Sequence, residues 1–219
     1  MSAIKVCGVR TVEDYELIVQ GDIDYVGFVF APSKRQVTPE HICSVVSDSK
    51  VQSNIHHVAV FVNPTIQEII RVCKMVKIDV IQLHGNEQNE LIDQIRAQKL
   101  DIEIWKAIPH SENTSAMMKE YASFVDGFVI DTKIDGKSGG TGCRFDWQSI
   151  PSYKELAKLL QKRCFIAGGI TPDNISECLS YGPDGIDLSS GIEKGSSKDP
   201  TLFNLLIERM RNYGNNDSE

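Results

Sequence analysis

The chain has 219 residues, with 23 Lys and Arg against 30 Asp and Glu, giving a net charge of −7 at pH 7 and a sequence pI near 5.3. That acidic balance argues against nucleic acid as a main partner, because tracking a phosphate backbone needs a basic face, while a small anion held by local amides and one or two Arg stays compatible. Hydrophobic residues at 41% and charged residues at 24% are ordinary for a globular chain, and no apolar run approaches the roughly 18 residues that a membrane helix needs.

No apolar segment follows a charged start, which points to a cytoplasmic protein. Six Cys are scattered at 7, 43, 73, 143, 164 and 178. None falls in a C-x-x-C pair, so reduced thiols are expected rather than a disulfide framework or a zinc site.

Apolar, β-branched runs come at 4–7, 25–30, 57–62, 80–83, 102–108, 128–131, 164–167 and 185–188. Stretches with helical spacing lie between them. Val12, Tyr15 and Ile18 form one such stripe, Ile66, Ile69 and Ile70 another, and Leu202, Leu205, Leu206 and Met210 the last. Helix starts support the count. Thr11 lies three residues before Asp14, and Thr38-Pro39-Glu40 puts Pro in a first turn. Asn63-Pro64 and Thr171-Pro172-Asp173 are read in the same way for the third and seventh helices.

Eight strand–helix pairs imply a parallel sheet with right-handed crossovers. The simplest closure is a single (β/α)8 TIM barrel over residues 1–213, at the short end of the usual size of about 250 residues. An open doubly wound sheet is the alternative. No linker rich in Pro, Gly and Ser divides the chain. The polar tail 214–219 is expected to be disordered.

Alternation along a strand sends residues i and i+2 to one face. Lys5 and Cys7 then share the inner face of the first strand, Gln82 and His84 of the fourth, Val129 and Asp131 of the sixth, and Asp187 and Ser189 of the eighth. Polar groups at the C-terminal ends of four barrel strands are costly to bury unless hydrogen-bonded or used, and catalytic groups gather at that mouth. Cys7 alone would be read as core filler. With Lys5 on its face and Gly8 following, the ammonium is expected to lower the thiol pKa and make a usable base. Asp131 precedes no helix but a glycine-rich stretch, 133–144, which suits a lid closing over an acid.

His84 has two open readings, a satisfied core histidine or a substrate contact, and it lacks companions at metal-ligand spacing. Gly168 and Gly169 follow the seventh strand, and Ser189, Ser190 and Gly191 follow the eighth. Loops at those positions often bind phosphate through backbone amides, which Gly lets approach closely. Arg35, in Ser33-Lys34-Arg35 at the same rim, suits a bidentate grip on a carboxylate.

Taken together these residues resemble the phosphoribosylanthranilate isomerase family of tryptophan biosynthesis. The resemblance runs in order through Lys5-Val6-Cys7-Gly8, Gly27-Phe28-Val29-Phe30, Val60-Phe61-Val62-Asn63, Gln82-Leu83-His84-Gly85, Asp131-Thr132, Gly139-Gly140-Thr141-Gly142 and Phe145-Asp146-Trp147. It continues through Ala167-Gly168-Gly169 and Asp187-Leu188-Ser189-Ser190-Gly191 to Lys198-Asp199, nearly the whole chain. Two departures are Ala59, where the third strand commonly carries Gly, and the segment 193–197, which lacks the usual Pro.

The resemblance implies a cofactor-free barrel that performs an Amadori rearrangement. It implies Asp131 as general acid, Cys7 as general base, and Arg35 on the anthranilate carboxylate. Gly169, Ser190 and Gly191 would hold the phosphate, Asp187 would orient the sugar, and His84 would be a further contact. The partner is a phosphorylated small molecule, with no metal, and the chain is read as a monomer or homodimer. The related histidine-pathway isomerase would be expected to use two Asp, and a ligand sensor on a decayed barrel would have lost Cys7 or Asp131.

Overall fold

Eight parallel strands close on one another in chain order. They are β1 (Ala3–Cys7), β2 (Tyr25–Val29), β3 (His56–Phe61), β4 (Val80–Leu83), β5 (Glu103–Pro109), β6 (Gly127–Asp131), β7 (Arg163–Ala167) and β8 (Gly185–Leu188). The computed structural model describes residues 2–51, 54–132, 146–195 and 197–216. β1 pairs with β8 in parallel, Ala3 opposite Gly185 and Lys5 opposite Asp187. That ladder leaves no sheet edge, which excludes the open doubly wound alternative.

The helices α1 (Val12–Val19), α2 (Pro39–Asp48), α3 (Ile66–Met75), α4 (Asn89–Ala97), α5 (Thr114–Tyr121), α6 (Ile150–Leu159), α7 (Ile175–Ser180) and α8 (Pro200–Asn216) follow their strands in turn. Between β8 and α8 a small antiparallel hairpin is inserted, β9 (Glu193–Lys194) with β10 (Ser197–Lys198). Among the described residues no helix is long and apolar enough to cross a membrane.

The expected alternation holds along every strand. Ile4, Val6, Phe28, Ala59, Phe61, Ile81, Leu83, Ile104, Ile108, Phe128, Ile130, Ile166, Ile186 and Leu188 point outward into one core shared with the helices. Tyr25, Val58, Val60, Val80, Trp105, Ala107, Val129, Phe165 and Ala167 point inward and form a second apolar cluster inside the barrel. Trp105 stacks on Phe165 at 4.6 Å and meets Tyr25 edge-on at 5.0 Å, so three aromatic rings plug the barrel's lower half. Above this plug Lys5, Gln82 and Asp187 bring buried polar groups to the inner face.

Two helix starts fall later than the Pro residues suggest. α1 and α2 are capped by Thr11 and Thr38 as expected. α3 is instead capped by Thr65, whose hydroxyl and Glu68 complete a capping box and satisfy two orphan N–H groups. Asn63 stands before it in the left-handed region at φ 47° and turns the chain. α7 starts after Asn174, whose side chain folds back to accept from Thr171 N at 2.8 Å. α8 runs on to Asn216, and residues 217–219 of the polar tail lie outside the described residues.

Lys106 breaks the apolar pattern on the outer face of β5. Its ammonium is 1% exposed and donates to Glu87 at 3.0 Å, Gly85 O at 2.7 Å and Ala107 O at 3.1 Å. Glu87 in turn accepts from Gly85 N and from Asn63 N, both at 2.9 Å, tying the loops after β3 and β4 together. Removing one member of such a pair leaves a buried charge uncompensated. Lys106→Met is expected to destabilise the barrel by about 3–5 kcal/mol in urea titrations. Adding Glu87→Gln should recover part of that loss; a single variant as stable as wild type would show the pair to be dispensable.

Candidate active site

The polar mouth is built on three pairs of neighbours. In the first, Cys7 ends β1 with Lys5 beneath it. Lys5 is fully buried, and its ammonium donates to Asp187 Oδ2 at 2.6 Å, the residue opposite it on β8. The other carboxylate oxygen, Asp187 Oδ1, is buried with no hydrogen-bond partner.

Burial works against the Lys5 ammonium, but Asp187 and Cys7 outweigh it and hold the amine above its ordinary value. Burial likewise pushes the Asp187 carboxyl up, with Lys5 opposing. For Cys7 the expected lowering is corrected. Lys5 and Lys198 do pull the thiol down, but burial, helped by the Asp187 charge, outweighs them and leaves it above its ordinary value. Room for the thiol comes from Gly27, opposite Cys7 in the ladder, where a Cβ would lie 2.9 Å from Sγ.

The second pair joins Arg35 to the hairpin. Gly8, in the left-handed region at φ 82°, lets Arg35 lie across the end of β1; a Cβ there would come within 2.3 Å of Arg35 Cδ. Arg35 grips Glu193 bidentately, Nε to Oε1 at 2.6 Å and Nη2 to Oε2 at 2.7 Å. The fork expected for a substrate carboxylate therefore already holds a protein carboxylate along one edge. The outer edge, with both Nη1 hydrogens and the second Nη2 hydrogen, remains.

The third pair is His84 and Asp131. The Gln82 side-chain amide meets His84 Nδ1 at 3.1 Å, and His84 Nε2 lies 3.5 Å from Asp131 Oδ2. Asp131 ends β6 opposite Ala167 of β7. Gly168, the next residue along β7's exit, has φ 96°, and a Cβ there would lie 2.1 Å from Thr132 Oγ1 and 2.8 Å from Asp131 Oδ1.

The loops after β7 and β8 touch. A Cβ on Gly191 would sit 1.8 Å from Ile170 O, so only Gly allows the two backbones to meet there. Gly169, at φ 70°, faces open space instead. Asn174 Nδ2 pins this loop by donating to Gly169 O at 2.9 Å. Ser190 and Gly191 open a short helical turn, whose first N–H groups have no partner inside the turn. Ser189 is at the same rim, but its hydroxyl donates to Cys7 O at 3.2 Å. The expected lid, 133–144, lies outside the described residues.

The family model "N-(5'phosphoribosyl)anthranilate (PRA) isomerase" matches residues 4–209. The N-(5'-phosphoribosyl)anthranilate isomerase of Bacillus subtilis strain 168 is 45% identical over 212 residues, 96% of each chain. The chain belongs to the phosphoribosylanthranilate isomerase family.

Two solved relatives carry the fold. Generated monomers of the dimeric phosphoribosylanthranilate isomerase from Thermotoga maritima match at TM-score 0.80 and 30% identity, over 97% of this chain and all of that one. A phosphoribosylanthranilate isomerase in complex with reduced 1-(o-carboxyphenylamino)-1-deoxyribulose 5-phosphate matches at TM-score 0.80 and 28% identity, with the same coverage.

Within this isomerase, Glu193 and Lys198 were not legible as site residues. Lys198 Nζ is 1% exposed and donates to Cys7 O at 2.7 Å, Ser189 O at 3.1 Å and Glu193 Oε1 at 3.0 Å. A Lys and a Glu in a short polar segment read as solvated, and only the hairpin's fold over the mouth buries them.

Burial disfavours the Glu193 charge, yet Arg35 and Lys198 hold its carboxyl down at about 2, against an ordinary 4.5. A depressed carboxyl stabilises the fold above its unfolded value and loses that contribution as pH falls toward the folded one. The stability lost between about pH 5 and about pH 3 should therefore shrink in Glu193→Gln relative to wild type, as measured by denaturant titration at each pH. Equal losses would mean that the pairs do not persist in solution. Gly27→Ala should lower kcat/KM by about tenfold or more through displacement of the thiol, with the fold retained; unaltered turnover would show that Sγ tolerates the Cβ.

Proposed function

We propose that the chain catalyses the family's reaction, the Amadori rearrangement of N-(5-phosphoribosyl)anthranilate to 1-(2-carboxyphenylamino)-1-deoxyribulose 5-phosphate in tryptophan biosynthesis, with Cys7 as general base and Asp131 as general acid. The observation that carries the assignment is the placement of a thiol and a carboxyl on separate walls of one mouth. Cys7 is backed by Lys5 and Asp187, and Asp131 is faced by His84. A substrate lying across the mouth meets both.

Asp131 protonates the ribose ring oxygen and the ring opens to a Schiff base. The Cys7 thiolate then removes the C2 proton; the C2–H electron pair forms the C1–C2 double bond as the C1=N π pair moves onto nitrogen, giving an enolamine. Tautomerisation delivers the ketone. An isomerisation of this kind conserves atoms and electrons, so one acid and one base suffice. As the thiolate forms, the Lys5 and Lys198 ammonium groups stand against it. Asp187 Oδ1, buried and unpartnered, is the acceptor free to take a sugar hydroxyl. The outer edge of Arg35 takes the anthranilate carboxylate. Amides of Gly169, Ser190 and Gly191 take the phosphate, on the two loops that touch after β7 and β8. His84 supports Asp131.

The test is a fluorescence assay with freshly made phosphoribosylanthranilate on wild type, Cys7→Ala and Asp131→Asn. Wild type should consume the substrate and each variant should lose about a hundredfold or more of kcat. A variant with full turnover would remove that residue from its role. Because burial holds the Cys7 thiol high, the thiolate is the minor form in the free enzyme at neutral pH. The wild-type kcat/KM should therefore rise with pH across the neutral range, and a flat profile would exclude a thiolate base.

A further inference from the structure

The Arg35 guanidinium is held from behind. Of its three donor nitrogens, Nε and Nη2 are committed to Glu193 at 2.6 and 2.7 Å. Glu193 is itself only 5% exposed, and its Oε1 also accepts from Lys198 Nζ at 3.0 Å. Lys34 Nζ stands 3.7 Å from the other oxygen. Lys198 is anchored at both ends of the hairpin strand it ends. Its ammonium donates to the carbonyls of Cys7 and Ser189, and its backbone N–H donates to Asp14 Oδ1 at 2.9 Å.

A continuous chain of charge-assisted hydrogen bonds therefore runs from the Cys7 strand end through Lys198 and Glu193 to Arg35. We propose that Glu193 and Lys198 are positioning residues that fix the outer edge of Arg35 toward the aromatic carboxylate of the substrate and tie that edge to the end of the Cys7 strand. This rests on the reading of Arg35 as the carboxylate contact.

The physical case is one of preorganisation. A free Arg carries large rotamer freedom, which binding a carboxylate would have to remove. Glu193 removes that freedom beforehand, and Gly8 gives the side chain a flat bed to lie on. The rival view, that Glu193 imitates the substrate carboxylate and must be expelled, is disfavoured by geometry. Glu193 has a second cation in Lys198 and occupies the Nε–Nη2 edge of the guanidinium rather than its open edge. The two views predict opposite signs.

The experiment is equilibrium binding of two ligands by calorimetry. One is reduced 1-(o-carboxyphenylamino)-1-deoxyribulose 5-phosphate, and the other is the same compound with a plain phenylamino group. The quantity read is the preference for the carboxylate, as the ratio of the two Kd values. A merely structural role would weaken both ligands and leave the ratio alone. Glu193→Gln should cut the preference by about tenfold relative to wild type.

An undiminished preference in Glu193→Gln overturns the positioning role, and an increased one establishes Glu193 as a competitor. Absence of any preference in wild type sinks the Arg35 reading itself, and the proposal with it. Should Glu193→Gln fail to fold because Lys198 is left uncompensated, Glu193→Gln combined with Lys198→Met removes both charges and is judged by the same ratio.

Discussion

A lysine ammonium with no solvent exposure, 2.6 Å from an aspartate inside a barrel, is the constraint around which this site is arranged. Either ion alone in that interior would cost several kcal/mol, and together they are tolerated only because the closing ladder sets Lys5 directly opposite Asp187. Their pairing leaves one oxygen of Asp187 unpartnered and the Lys5 ammonium beneath the Cys7 thiol. Three further charges, on Lys198, Glu193 and Arg35, complete a cluster in which cations and carboxylates alternate from the barrel interior to its rim.

That cluster sets the electrostatics of the thiol. Burial and the Asp187 carboxylate oppose the thiolate while two ammonium groups favour it, and the opposing side prevails. The aromatic plug of Tyr25, Trp105 and Phe165 contributes by closing the barrel below the cluster.

Glycine does the spatial work at the mouth. Gly27 gives space to the thiol, Gly8 to Arg35, and Gly168 to Asp131 and Thr132, while Gly191 allows two loop backbones to touch. None of the four is needed for a flexible loop as such. Each marks a place where a functional side chain or a neighbouring backbone occupies the volume a Cβ would fill. The Gly-Gly after β7, read from sequence as one phosphate-binding device, thus divides into two roles. Gly168 makes room for Asp131 and Thr132, and Gly169 faces open space.

Periodicity by itself determined the barrel. Alternating β-branched runs and helical stripes gave eight units, with strand limits within a residue or so of those found. The alternation of Lys5 with Cys7, Gln82 with His84 and Asp187 with Ser189 is enough to assign those residues to the inner face. These features follow from local backbone geometry, which repeats every two or 3.6 residues and is written in adjacent positions.

Tertiary structure alone decided the rest. The helix starts at Thr65 and Asn174 depended on side chains folding back, not on the nearby Pro. The sign of the Cys7 shift depended on how much protein surrounds the thiol, which the spacing to Lys5 does not encode. Glu193 and Lys198 entered the site because a hairpin laid them over Cys7 and Arg35, some 158 to 191 positions distant along the chain. Desolvation and long-range pairing are properties of the closed barrel, and no local pattern in the sequence carries them.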